Sequence, residues 1–154
     1  MIEGKWFEDF AIGEEIVSPA KTFTEADIVD FAFRYDPQPF HLDKPAAEAG
    51  IYGGLIASGW HLGSVAFRLF TMTNVLAAAS LGSPGLDEVR WLKPVRPGDT
   101  VRTVVVIADK RPSRSKPDRG IVTMDYRVIN QEDEVVMTMR GIQLVARREA
   151  TDGE

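Results

Sequence analysis

From Thr24 to Tyr35 the apolar positions Ile28, Phe31, Ala32 and Tyr35 recur at helical spacing. Thr24 is a natural cap, Asp27 stands where a capping box needs its acid, and Phe23 can staple onto Ile28. The stop is equally readable. Asp36 precedes Pro37 and Gln38 precedes Pro39, and a residue before proline is pushed out of the α region. The spacing therefore predicts a helix ending at about Tyr35, then a stiff, extended loop from Asp36. A longer helix is predicted from about Ser58 to Ala79. Its apolar stripe is Leu62, Val65, Ala66, Leu69, Met72 and Leu76, its polar one His61, Ser64, Arg68 and Thr71. Gly59 and Gly63 lie on it four apart, so another backbone can approach that face.

After Pro84 the period shortens. Val89 to Leu92, Thr100 to Ala108, Gly120 to Ile129 and Val135 to Val145 are rich in β-branched residues with partial alternation. Pro97-Gly98-Asp99 and Asn130-Gln131-Glu132-Asp133 mark turns. Helices followed by a run of strands predict an α+β fold whose antiparallel sheet packs on the long helix.

Composition adds mainly exclusions. The 154 residues suit one domain, read as residues 1–147, with a frayed polar tail at 148–154. There is no cysteine, which removes disulfides, thiolate nucleophiles and cysteine metal sites. A net charge of −5 argues against a nucleic-acid partner. Acids within the first ten residues break the run a signal peptide needs, and His61, Arg68 and Asn74 interrupt the most apolar segment. The expectation is a cytoplasmic protein with no membrane partner.

No nucleophile elbow, P-loop or dinucleotide fingerprint occurs. Metal is not expected, since His41 and Asp43 are joined by only one other histidine, His61. What remains is Asp36-Pro37-Gln38-Pro39-Phe40-His41-Leu42-Asp43. An acid and an imidazole five residues apart are at most about 17 Å apart, so a bend can bring them together. The prolines reduce the entropy lost in holding one geometry, and Phe40 offers an apolar wall. A neighbouring carboxylate favours the imidazolium and burial opposes it, so such a pair can be tuned for proton transfer. The plainer reading is that Asp36 ends a helix and His41 bonds to backbone. A second segment, Gly54-Leu55-Ile56-Ala57-Ser58-Gly59-Trp60-His61, opens the long helix at Ser58. Free N–H groups there, Gly59's among them, can hold an oxygen on which charge builds. Its plainer reading is glycine for tight packing. Lys110 to Arg119 carries five basic residues and one acid between two strands, and reads as a solvated loop before it reads as a phosphate contact.

Together these segments resemble the MaoC-like dehydratases, which include the R-specific enoyl-CoA hydratases. That family's loop follows D-x-N-P-x-H-x-D; here Asp36 and His41 keep its spacing, with Gln38 in place of the asparagine. A small-residue stretch follows, Leu55 to His61, with Ser58 in place of the histidine before Gly59. Trp91-Leu92-Lys93-Pro94-Val95-Arg96-Pro97-Gly98-Asp99 is similar to the family's F-x-x-P-V-x-x-G-D. The resemblance implies a hot dog fold, a curved antiparallel sheet wrapped around one long central helix, paired as a homodimer or higher homo-oligomer. It implies Asp36 and His41 as the catalytic pair. Gly59, with Ser58, Gln38 and Phe40, is then expected around the thioester. The reaction implied is reversible hydration of a 2-enoyl thioester, with no separate cofactor, because coenzyme A or carrier-protein pantetheine is part of the substrate. Three alternatives stay open: a hot dog thioesterase, a 3-hydroxyacyl-carrier-protein dehydratase, and a non-catalytic acyl-thioester-binding subunit. Trp60, Phe67 and Phe70 are candidates for the acyl pocket wall.

Overall fold

A computed structural model describes residues 3–148. Thr24 caps helix α1 (Glu25–Tyr35), its Oγ1 accepting from the Asp27 N–H at 3.0 Å. Asp27's carboxylate also accepts from Lys21 Nζ at 3.1 Å. The segment after Asp36 is not the extended loop its prolines suggest. It folds into two short helices, α2 (Pro39–Leu42) and α3 (Lys44–Ala49), the second capped by Asp43, whose Oδ1 accepts from the Ala46 N–H at 3.0 Å. Pro39 and Pro45 sit in first turns, where a missing N–H costs nothing and the fixed φ favours the helix.

Helix α4 (Gly59–Thr71) opens where predicted and closes eight residues early. The Thr73 hydroxyl donates to the Phe70 carbonyl at 2.7 Å and Asn74 takes a left-handed φ of 71°, which together end the helix. Val75, Leu76 and Ala79 still enter the core, from irregular backbone. The stripe Leu62, Val65, Ala66 and Leu69 is buried as expected, whereas Met72 faces out. His61, assigned to the polar stripe, is buried: its ring stacks on Phe31 with centroids 4.6 Å apart and meets Phe23 edge-on at 4.8 Å. Gly59 and Gly63 admit side chains rather than another backbone, Trp91 over the first and Met137 beside the second.

Five strands, β1 (Glu15–Thr22), β2 (Gly85–Trp91), β3 (Thr100–Pro112), β4 (Arg119–Ile129) and β5 (Val135–Ala146), form one sheet in the order β1-β3-β4-β5-β2. Every neighbouring pair is antiparallel. β1 was not predicted. Pro19 and charged neighbours mask its short alternation, and the proline is tolerated at an edge, where the pairing with β3 shifts register between Val17 and Ala20. Alternating residues of β3 and β4 meet α4 and α1 in a core that includes Phe23, Ile28, Phe70, Val105 and Met124, each fully buried side chain contributing about 1.5–3 kcal/mol. The Thr103 hydroxyl ties β3 to α4, donating to the Ala66 carbonyl at 3.0 Å.

The basic stretch 110–119 is the tip of the β3–β4 hairpin. At the other end of the chain, the Arg148 guanidinium is held by Asp9 at 2.7 Å, and the rest of the expected tail lies outside the described residues. No helix among the described residues is long and apolar enough to cross a membrane.

Candidate active site

Asp36 and His41 come together because a single helical turn follows directly on the end of α1. Asp36 is the C-cap of α1, its N–H bonded to the Ala32 carbonyl. The single turn of α2 then swings His41 back beneath it, leaving His41 Nε2 3.2 Å from Asp36 Oδ2. Both side chains are largely buried, 5% and 14% exposed respectively, so their interaction is weakly screened. The other ring nitrogen, Nδ1, lies 2.6 Å from the Ile56 carbonyl. A carbonyl only accepts, so Nδ1 carries the proton there and Nε2 is the nitrogen left facing Asp36.

Two hydrogen-bond donors converge on the Asp36 carboxylate, and the His41 ring lies beside it. Ser58 Oγ–H reaches Oδ2 at 2.7 Å and Gln38 Nε2–H reaches Oδ1 at 2.7 Å. Burial pushes the Asp36 carboxyl up, but the Ser58 and Gln38 hydrogen bonds and the neighbouring imidazole outweigh it and hold the group below the usual carboxylate range. At neutral pH Asp36 is therefore an anion facing an imidazole.

Ser58, fully buried, is also the N-cap of α4, accepting from the Trp60 N–H at 3.3 Å. One hydroxyl thus locks the amino end of a 13-residue helix to the acid. The first N–H groups of that helix lack intrahelical partners and carry the positive end of its dipole. Gly59 begins it and lines a cavity of about 420 Å³ together with Asp36, His41, Gln38 and Phe40. Phe40 packs edge-on against His41 with centroids 4.5 Å apart and against Tyr52 at 5.5 Å. Arg96 fixes that side by donating to the Tyr52 carbonyl at 2.5 Å.

All six residues singled out from the sequence, Asp36, His41, Ser58, Gly59, Gln38 and Phe40, therefore line or directly support one cavity. Of the three open aromatic candidates, Trp60 lines it, Phe70 is core, and Phe67 is not among its lining residues. Asp43 stays out as a helix cap. Missed were the Ile56 carbonyl that orients His41 and the wall residue Trp91. A backbone carbonyl has no sequence signal. Trp91 sits in a β run and reaches the site only because β2 ends beside α4. The basic hairpin lies at the far end of β3, about 40 Å of strand from Thr100, which favours its solvated reading. Among the described residues, no group of three or more His, Cys, Asp or Glu is placed to hold a metal ion.

Against this geometry, the sequence profile described as MaoC like domain matches residues 9–130. The crystal structure of a MaoC-like dehydratase from Rhodospirillum rubrum superposes with a TM-score of 0.88 at 37% identity, covering 96% of this chain and all of that one (100%). The mesaconyl-CoA hydratase of Cereibacter sphaeroides is 28% identical over 149 residues, 95% of this chain but 42% of that longer protein. A Mycobacterium tuberculosis protein described as having a double hot dog fold matches with a TM-score of 0.80 at 18% identity, covering 98% of this chain and 46% of its own, a likeness of fold alone. The sheet and central helix described above are a hot dog fold.

Proposed function

Because the chain belongs to the MaoC-like domain family, we propose that it is a hydro-lyase that reversibly hydrates a 2-enoyl thioester to the 3-hydroxyacyl thioester. The observation that carries the proposal is the contact of Asp36 Oδ2 with His41 Nε2 at 3.2 Å, in a cavity that also receives the amino end of α4. The mesaconyl-CoA hydratase relative is in keeping with a thioester of coenzyme A.

The thioester carbonyl draws electrons from the β-carbon. A water held by Asp36 and His41 gives one proton to the pair as its oxygen bonds to the β-carbon, and the displaced π electrons move onto the thioester oxygen. Backbone N–H at Gly59 and the helix dipole stabilise that oxygen. The charge returns as the pair delivers one proton to the α-carbon, so the net change is addition of one water. Because the two groups are in contact, a proton taken from water can pass between them.

The test is hydration of crotonyl-CoA followed by loss of enoyl absorbance. Asp36→Asn and His41→Ala are each expected to lower kcat by about 10²–10⁴-fold. Near-normal turnover in both variants ends the proposal, and release of free thiol with the enoyl group intact makes the protein a thioesterase instead.

We propose in addition a homodimer. Among the described residues β2 is an edge strand with no neighbour beyond it in the sheet, and Leu86 on it and Leu92 just after it expose apolar surface.

A further inference from the structure

Two indoles stand at the open end of the cavity, and the proton chemistry uses neither. Trp60 is 65% and Trp91 46% exposed, whereas Ile56, Ala57, Leu62 and Val95 at the closed end are 2–8% exposed. The indoles are fixed in place. Trp91 Nε1–H donates to the Gly59 carbonyl at 3.0 Å, and its ring lies so close on Gly59 that a Cβ there overlaps it. Trp60 meets Trp91 edge-on with centroids 5.6 Å apart. The glycine opening α4 is thus required by the indole packed on it. A phenylalanine at position 91, as in the family's segment, can cover the glycine but cannot make the bond.

An enoyl thioester with its oxygen at the Gly59 N–H has two ends to place. The apolar acyl chain gains most by entering the closed, buried end. The thiol arm continues into a group too large for about 420 Å³ and has to leave by the open end. Its path passes Trp60, the residue next to Gly59. We infer that the Trp60–Trp91 pair is a binding subsite for the amide-bearing arm of pantetheine, the chemistry common to coenzyme A and to acyl carrier proteins. The inference rests on the thioester reading and deepens it. Amide groups are flat and can lie with one face on an indole while their edges stay hydrated, and a rigid indole loses little entropy on contact. Trp91, held by Gly59, adds preorganisation. Lys93 at the same rim is already paired with Glu134, so this rim selects flat polar amides rather than charge.

Two measurements test it. Saturated butyryl-pantetheine, which cannot be hydrated, is titrated into the wild type and Trp60→Ala with tryptophan fluorescence as the signal. In parallel, hydration is measured on crotonyl thioesters of pantetheine, coenzyme A, a holo acyl carrier protein and ethanethiol. Trp60→Ala is expected to raise KM roughly tenfold or more for the three pantetheine-borne substrates, with kcat kept within about threefold. The ethanethiol ester, which has no amide, should show a clearly smaller KM rise, the fluorescence titration with butyryl-pantetheine should shift to roughly tenfold higher concentration, and Trp60→Phe should recover part of the binding. Wild-type KM values separate coenzyme A from carrier protein as the source of the arm. An equal KM rise for the ethanethiol ester, or none for any substrate, overturns the inference. So does a change in oligomeric mass with KM unaltered, which assigns the indoles to a contact between copies. A wild type that binds butyryl-pantetheine through Trp60 yet hydrates nothing removes the hydratase reading and leaves the subsite standing.

Discussion

At the scale of single residues, Ser58 does two jobs with one hydroxyl: it donates to Asp36 and caps α4. Removing it should be felt in both. Ser58→Ala is expected to cost about 0.5–2 kcal/mol of stability through the lost cap. It should also release the Asp36 carboxyl upward toward its ordinary range, because the Ser58 bond is one of the forces holding it down. The acid limb of kcat/KM against pH then moves to higher pH in the variant, while Ser58→Thr, which keeps a hydroxyl, stays near the wild-type curve. An acid limb that does not move would show that the hydroxyl has no part in setting the charge of Asp36. Gly120 is a second such position, for packing rather than chemistry. A Cβ on it overlaps the ring of Phe7, a buried residue of the 3-10 turn over β4. Gly120→Ala is expected to destabilise by about 1–3 kcal/mol through overpacking, read as a lower urea midpoint.

At the scale of elements, the contact between α1 and α4 sets where Asp36 stands, since Asp36 is the last cap of α1 and Ser58 the first cap of α4. His61 sits in that contact, between Phe31 of α1 and Phe23 just before it, with its Nδ1 buried and unpartnered. Burial pushes the His61 imidazole down, against a smaller upward pull from Asp27. The folded state therefore resists a proton that the unfolded chain accepts. The stability this provides is complete above the ordinary imidazole pKa of about 6.5 and is lost as pH falls below it toward the depressed folded value. Unfolding free energy in urea is expected to fall between about pH 7 and pH 5, and His61→Leu should flatten that slope. Asp36, whose pKa is also lowered, loses its contribution only in the more acidic range below the ordinary carboxylate pKa, so the two effects separate. A slope equally steep in His61→Leu would mean that this ring does not carry the dependence.

At the scale of the whole molecule, the sheet ends in an exposed edge on the side where the cavity opens. Trp91, the last residue of β2, is both part of that edge strand and part of the cavity wall. Self-association along β2 therefore bears on the site as well as on the surface. The wild type is expected to sediment at twice the monomer mass, and Leu86→Lys, which places a charge on the exposed edge, to sediment as a monomer with an unchanged circular dichroism spectrum. A wild type that is monomeric at micromolar concentration removes the dimer proposal.

Sequence periodicity and turn chemistry determined α1, the start of α4, the strands after Pro84 and the α+β class, because each rests on local rules of caps, prolines and alternation. The pairing of Asp36 with His41 was legible only through the family resemblance, since spacing alone left a helix-ending acid and a loop histidine as the plainer reading, and the prolines suggested an extended loop where α2 makes a turn. Other features depended on packing. The end of α4 at Thr71 follows from one hydroxyl and one left-handed asparagine, which an unbroken apolar stripe conceals. His61 reads as surface by its polarity and lies inside because two phenylalanines from another segment enclose it. The orientation of His41 by the Ile56 carbonyl and the arrival of Trp91 on Gly59 join residues 15 and 32 positions apart, respectively. No local pattern encodes such meetings; they exist only once the sheet has closed around the helix.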